Sequence, residues 1–422
     1  MKNVVVQKFG GTSLADTDKI KKVADAVIRE KENGNDVVVV VSAMGHTTDY
    51  LVKMAKEISP NPSDREMDML LSTGEGISIA LLSMAIQAKG YESVSLNAMQ
   101  IGIITEEVHQ KARIIDIKTD KLRENLDAGN IIVVAGFQGI TENGEITTLG
   151  RGGSDTSAVA LAAALEALRC DIYTDVEGVY TTDPRIVPNA SKLDNVSYGE
   201  MLELARVGAN VLHPRSVETA KQFNVPLRVR STFNLDNLGT LITGEENMEI
   251  YKPVTGVAAD LSQVRIVFCD VPDAPGHAAK LFKALSGGNI SVDMIIQSYA
   301  RTSNNTNDIA FTIDKADLEN AKPVFEKIKN ELGGSAIYID EDIAKVSIVG
   351  AGMVDRPGIA ATMFDAIASV GINIKMISTS EIKISCLVEK AEAKRCVQIL
   401  HDVFELGSDS IADVKGDLPD LD

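Results

Sequence analysis

Over residues 1–245, short unbroken apolar runs alternate with longer stretches in which apolar positions return every three or four residues. The runs Val4–Phe9, 37–41, 131–137 and 172–173 are continuous and rich in Val and Ile, the pattern of strands buried on both faces. Between them, Thr17–Glu32, 76–89 and 156–168 carry helical spacing. Buried strands separated by helices predict a mainly parallel sheet covered on both sides, an α/β domain.

A turn-rich, charged stretch at 243–253 ends that pattern. Beyond it, residues 263–298 align with 345–380 at a constant offset of 82, without a gap, and 14 of the 36 positions are identical. Asp273/Asp355, Pro275/Pro357, Gly276/Gly358, Phe282/Phe364 and Met294/Met376 are among them. Agreement at that level marks a duplication. Each copy reads strand, Pro-Gly turn, helix, strand, then further strand and helix patterns, the βαββαβ order of a ferredoxin-like unit. The pattern by itself serves a ligand-free structural duplication as well as a pair of binding modules. The acidic residues 409–422 are predicted to fray.

Composition narrows the function. With 42 Lys plus Arg against 60 Asp plus Glu, the formal charge of the 422-residue chain is −18. A surface that negative repels nucleic-acid backbones and anionic membranes, so any anionic ligand needs a local gathering of basic residues. Cys170, Cys269, Cys386 and Cys396 are scattered, with no Cys-x-x-Cys pair, and read as reduced thiols rather than a disulfide framework or zinc site. The five histidines show no metal-ligand spacing. The apolar run near the N-terminus is too short for a signal peptide, and no segment is expected to span a membrane. A soluble, cytoplasmic protein is the expectation.

Three segments carry chemistry. In KFGGTS at 8–13, the paired glycines let backbone amides approach an anion, a following helix offers its positive end, and Lys8 adds a full charge. A tight strand-to-helix turn that happens to hold a lysine fits the same letters. Walker A and protein-kinase signatures are absent. In TTLGRGGSDTS at 147–157, three glycines surround Arg151 in a loop able to wrap a carboxylate or phosphate, while Ser154, Asp155 and Thr156 read as helix N-cap residues. YTDVEGVY at 173–180, followed by Asp183-Pro184-Arg185, suits the carboxyl-end crevice of a parallel sheet. Glu75, in STGE at 72–75, reads either as a helix cap or as a partner for a substrate ammonium. Ser42-Ala43-Met44-Gly45 is a further short polar segment beside an apolar run.

Taken in order, KFGGTS at 8–13, STGE at 72–75, TTLGRGGSDT at 147–156, YTDVEGVYTTDPR at 173–185 and VLHPRSVE at 211–218 resemble the aspartate kinase family along nearly the whole chain. The two C-terminal repeats resemble its ACT domains. The resemblance implies an amino-acid-kinase αβα sandwich over 1–245, a linker and strand at 246–262 joining the second ACT unit, ACT domains at 263–340 and 341–412, and an acidic tail at 413–422. The implied reaction is transfer from ATP, with Mg2+ carried by the nucleotide, to the side-chain carboxylate of L-aspartate. This is the first step towards lysine, threonine and methionine.

Carried over residue by residue, Lys8 and Asp155 are catalytic positions, with Asp155 organising the site. Lys8, Gly10, Gly11, Thr174, Asp175, Tyr180 and Arg185 are nucleotide positions. Thr12, Ser13, Ser42, Thr48, Glu75, Phe137, Arg151, Gly152, Gly153 and Ser154 are substrate positions, with Arg151 on the α-carboxylate and Glu75 toward the ammonium. Effector positions are Asp273, Ala278, Asn289, Ile290, Asp293 and Gln297 in one repeat, and Asn373, Ile374, Thr379, Ser380 and Glu381 in the other. Asp293 facing Lys375 at matching positions predicts two unequal sites, the acidic one favouring lysine, with threonine a co-effector. Many family members have Lys where this chain has Asn210. The resemblance also implies a homodimer through ACT domains, or an α2β2 assembly whose regulatory subunit starts internally at Met248. Rival readings are a kinase for glutamate, acetylglutamate, carbamate or a nucleotide, and a catalytically dead amino-acid sensor.

Overall fold

The computed structural model describes residues 3–208, 211–244, 252–298, 305–354 and 356–408. Asn210, Met248, Asp355 and the tail 409–422 lie outside these residues. The described chain forms two units, one from 3–179, 192–205 and 211–244, the other from 180–191, 206–208 and 252–408.

The first unit is built on an eight-stranded sheet. In spatial order its strands are Asn195–Ser197, Thr240–Thr243, Leu227–Ser231, Arg169–Thr174, Val4–Phe9, Asp36–Val41, Ile131–Ala135 and Ser93–Leu96. Every pair is parallel except Leu227–Ser231 with Thr240–Thr243. Val5, Val6, Val37–Val41 throughout and Ile132 to Val134 are almost wholly shielded from solvent, which explains their lack of alternation. Register fixes where the loops emerge. Phe9 lies opposite Val41 and Tyr173, Val41 opposite Ala135, and Thr174 opposite Ser231. The strands therefore end level, and the loops after them share one edge of the sheet.

A second sheet of short strands, Ile114–Ile117, Ile103–Thr105, Gln138–Ile140 and Ile146–Thr148, was not visible in the apolar pattern. Its last two strands form the hairpin that leads into the glycine-rich segment at 150–153. Against expectation, one helical stretch among the described residues, Asp64–Gln87, has the length and apolarity of a membrane span. Its apolarity has another cause: Leu82 and Ile86 are fully buried in the same core as Val23 and Val27.

The second unit holds two four-stranded antiparallel sheets. The first runs Val292–Gln297, Thr306–Asp314, Gln263–Pro272, Ala336–Asp340, with helices His277–Gly287 and Leu318–Leu332 around Phe268, Phe311 and Phe325. In the second sheet, Met376–Ser380, Lys383–Glu389 and Ile343–Val349 follow the same order, but the remaining edge is filled by Gly256–Asp260, from before the first repeat. The second copy thus has five elements of its own and takes its sixth from upstream.

Candidate active site

At the level edge of the large sheet, Lys8 and Asp155 meet. The Lys8 ammonium lies 2.6 Å from the Asp155 carboxylate, both side chains mostly buried. Asp155 belongs to the first turn of helix Gly153–Ala164, whose N-cap is Gly152. Sequence pattern made Ser154, Asp155 and Thr156 caps; the helix starts too early for that. The Thr156 and Ser157 hydroxyls instead donate back to the Gly152 and Gly153 carbonyls, which leaves Asp155 available to Lys8.

The loop after Lys8 packs closely on the loop after the next strand. A Cβ on Gly11 would stand 2.9 Å from the Ala43 carbonyl oxygen, and the Gly45 amide donates to the Gly11 carbonyl at 3.0 Å. Glycine is required there because the two backbones touch. The Ser13 and Thr232 hydroxyls are 2.7 Å apart and buried, tying this loop to the strand Leu227–Ser231. Thr12 is exposed beside them, while Ser42 and Thr48 are half-buried.

Glu75 reaches the same loops from helix Thr73–Gln87, in its first turn rather than at its cap. One carboxylate oxygen accepts from the Ala43 amide at 3.2 Å, and the other finds no partner among the described residues. Only 2% of Glu75 is exposed, and burial pushes its pKa up to about 7. A buried carboxyl with one oxygen unmatched is prepared for a cationic ligand, and Gly74 against Ala43 seats the helix close enough to deliver it.

The glycine-rich segment folds as a tight crossing. Gly150 and Gly152 have φ of 78° and 67°, and a Cβ at Gly152 would overlap the His213 ring. Phe137 adopts φ of 68°, with its amide held by the Ser157 hydroxyl at 3.1 Å and its ring side covering Gly153. Gly136 lies against Ser154. Arg151 is exposed on this segment.

Sequence reading left Arg215 and Asp68 without a role. Arg215 donates to the Leu149 carbonyl at 2.8 Å and the Ala112 carbonyl at 2.7 Å, fixing the approach to Gly150. Its signal was present in VLHPRSVE, where His213 caps helix Pro214–Phe223 and Pro214 occupies the first turn. Asp68, fully buried, does similar work from helix Asp64–Leu71: it accepts from the Thr148 hydroxyl at 2.6 Å and pairs with His109 at 2.7 Å.

The remaining positions divide between the units. Thr174 and Asp175 close the strand Arg169–Thr174, the Thr174 hydroxyl donating to Asp175 at 3.0 Å. Tyr180 and Arg185 belong to the second unit, where Arg185 is paired with Asp183 at 2.6 Å. In the first repeat, Asp273, Ala278 and Gln297 line one cavity of about 350 Å³ beside Gly276 and His277. Asn289 has φ of 56° next to buried Ile290. In the other repeat, Asn373, Thr379, Ser380 and Glu381 are exposed and Ile374 is half-buried. Asp293 and Lys375, expected to differ, each hold ion pairs inside this unit. Asp293 pairs with buried Lys345, and Lys375 pairs with Asp340 and Glu389 at 2.8 and 2.7 Å.

A mainly parallel sheet whose carboxyl edge gathers a lysine, an acid and glycine-rich loops is the architecture of an amino-acid kinase, here in one chain with two ferredoxin-like modules. Residues 3–231 match the amino acid kinase family, and 264–327 and 346–404 each match the ACT domain. The chain is 52% identical to an aspartokinase of Bacillus sp. (strain MGA3) over 408 residues, covering 97% of this chain and 98% of that one. Two solved structures of E. coli aspartokinase III are also similar. The complex with aspartate and ADP, described as the R-state, gives 27% identity and a TM-score of 0.81 over 95% of this chain and 99% of that one. The complex with lysine and aspartate, described as the T-state, gives 28% and 0.74 over 94% and 99%. The chain belongs to the aspartokinase family, the aspartate kinases.

Proposed function

We propose that this aspartate kinase moves the γ-phosphoryl group of MgATP onto the side-chain carboxylate of L-aspartate, giving 4-phospho-L-aspartate. That product opens the route to lysine, threonine and methionine. The observation that carries the reading is the Lys8–Asp155 pair at the sheet edge, one loop away from half-satisfied Glu75.

The nucleophile is a carboxylate, ionised at neutral pH, so no side chain has to remove a proton from it. The task is to bring two anions together, which makes positioning and charge stabilisation the sources of rate. Lys8 neutralises the phosphoryl group in transit and the amides of Gly10 to Thr12 stabilise it, the Ser13 amide being given to the Gly10 carbonyl. Asp155 holds the Lys8 ammonium in place. Glu75 binds the substrate ammonium, Arg151 its α-carboxylate, and Ser42, Thr48, Phe137 and Gly152 to Ser154 enclose the rest. Thr174 and Asp175 hold the nucleotide. Mg2+ comes bound to the nucleotide and supplies charge neutralisation at its oxygens.

The domain limits we propose are 1–245 for the kinase, 246–262 for the linker and strand, 263–340 and 341–412 for the ACT domains. Amino acids bound at the ACT domains then regulate turnover. Lysine is one candidate, since the T-state E. coli relative was solved with it, and threonine is a second. The cavity at Asp273, Ala278 and Gln297 is the site we assign to such an effector. The assembly we expect is a homodimer through ACT domains or an α2β2 form, in the cytoplasm, where the four free cysteines stay reduced.

Hydroxylamine traps acyl phosphates. Incubation with MgATP and L-aspartate is expected to yield aspartyl hydroxamate, with none from glutamate or N-acetylglutamate. Hydroxamate from glutamate instead would move the substrate assignment, and nucleotide binding without any hydroxamate would make the chain a sensor.

A further inference from the structure

On the sheet face opposite Lys8, helix Thr17–Glu32 leaves an opening. Phe9 and Tyr173 pack under that helix with Val23 and Val27, and further along the same face arginines collect. Arg228 stands opposite Asp171 and Arg230 opposite Tyr173 in the strand register. With Arg29 and Arg169 they line a cavity of about 200 Å³. This gathering is notable in a chain whose net charge is −18.

Most of these guanidinium groups are occupied. Arg169 donates to Asp171 at 3.0 Å and to Glu30 at 2.8 Å. Arg29 pairs with Asp236 at 2.8 Å. Arg230 donates to the Tyr173 hydroxyl at 3.1 Å and the Leu235 carbonyl at 2.8 Å, and lies 3.9 Å from Asp171. Arg228 is half-buried, and its guanidinium has no hydrogen bond or close ion pair to any described residue, though its charge acts on the Asp171 carboxylate from a longer distance. Four cations thus face three carboxylates, with one positive charge in excess. A structural role explains Arg169 and Arg230, which tie strands to the helix and to the 235–237 loop. It does not explain a guanidinium with no hydrogen-bond acceptor at the wall of a cavity, since partly desolvated donors left unmatched cost free energy.

We propose that this cavity binds a small oxyanion, a phosphate or a carboxylate, with Arg228 as its anchoring cation. No described residue takes its guanidinium donors, whose planar fork suits two oxygens of one ligand. The volume suits inorganic phosphate or a short dicarboxylate, whereas sites for larger organic ligands run from about 300 to 1,000 Å³. The site is connected to the catalytic edge: the Tyr173 ring stacks on Phe9 with centroids 4.5 Å apart, and Phe9 adjoins Lys8.

The chain has no tryptophan, and Leu238 on the cavity rim is 69% exposed. Leu238→Trp therefore places a single indole at the site. With saturating MgATP and no aspartate present, so that phosphate is kept from the Lys8 loop, inorganic phosphate is expected to change its emission saturably. Adding Arg228→Gln is expected to raise the half-saturating concentration at least ~10-fold, the loss of one charge-assisted contact. A parallel titration with succinate separates a phosphate site from a carboxylate site. A response that NaCl reproduces at equal ionic strength, or one unchanged by Arg228→Gln, overturns the proposal. If Arg228→Gln lowers the melting temperature, Arg228→Lys decides the matter: the charge it keeps must preserve most of the phosphate response.

Discussion

Lys8→Ala lowers kcat by roughly 10²–10³-fold with little change in KM for aspartate, the expected result when one preorganised donor to developing charge is removed. The same change leaves Asp155, 9% exposed, without its counter-charge. Breaking one side of a buried pair costs about 3–5 kcal/mol, so the single variant is expected to melt lower than the parent. Lys8→Ala combined with Asp155→Asn removes both charges and is expected to recover most of that stability. Its kcat stays as low as that of Lys8→Ala alone. Recovery of turnover with recovery of stability would reduce Lys8 to a structural residue.

Glu75 gives the second large effect, and its sign follows from burial. Its pKa is raised to about 7, so below that pH the folded chain carries it protonated and unable to pair with an ammonium. The value of kcat/KM for aspartate is accordingly expected to climb with pH through about 7 and then level off. Glu75→Gln removes this rise and lowers the plateau by roughly 10–100-fold, the loss of one charge-assisted contact. Stability moves the opposite way. A carboxyl whose folded pKa is raised weakens the fold as pH climbs from its unfolded value to its folded one, and by a constant amount above that. At pH 8, Glu75→Gln is therefore expected to be more stable on the order of 3 kcal/mol, a difference that vanishes in acid. Thermal melts of both proteins across pH check this. A variant less stable at pH 8 would show that the carboxylate is not strained.

Much of this architecture could be read from the chain because its signals are local. Continuous Val runs mark strands buried on both faces, and the duplication fixes two copies of one unit. The convergence of KFGGTS, STGE and GRGGSDT could not be derived that way. It depends on strand register, which sets Phe9, Val41 and Ala135 level, and register is a long-range property. Three-residue strands such as Gln138–Ile140 are too short to show a period. Ser154 and Asp155 looked like caps because capping residues and first-turn residues share the same chemistry; positive φ at Gly152 moved the helix start forward. Lys345 was missed as the partner of Asp293 because comparing the two repeats position by position says nothing of contacts between them.

The chemistry we propose requires Lys8, Glu75 and Arg151 to address different groups of a single aspartate. A crystal structure with L-aspartate and a non-hydrolysable ATP analogue tests it directly. The side-chain carboxylate is expected to face the terminal phosphate beside Lys8, with the ammonium on the Glu75 oxygen that has no partner among the described residues and the α-carboxylate on Arg151. Aspartate bound elsewhere, or Lys8 and Arg151 on separate ligands, would contradict it.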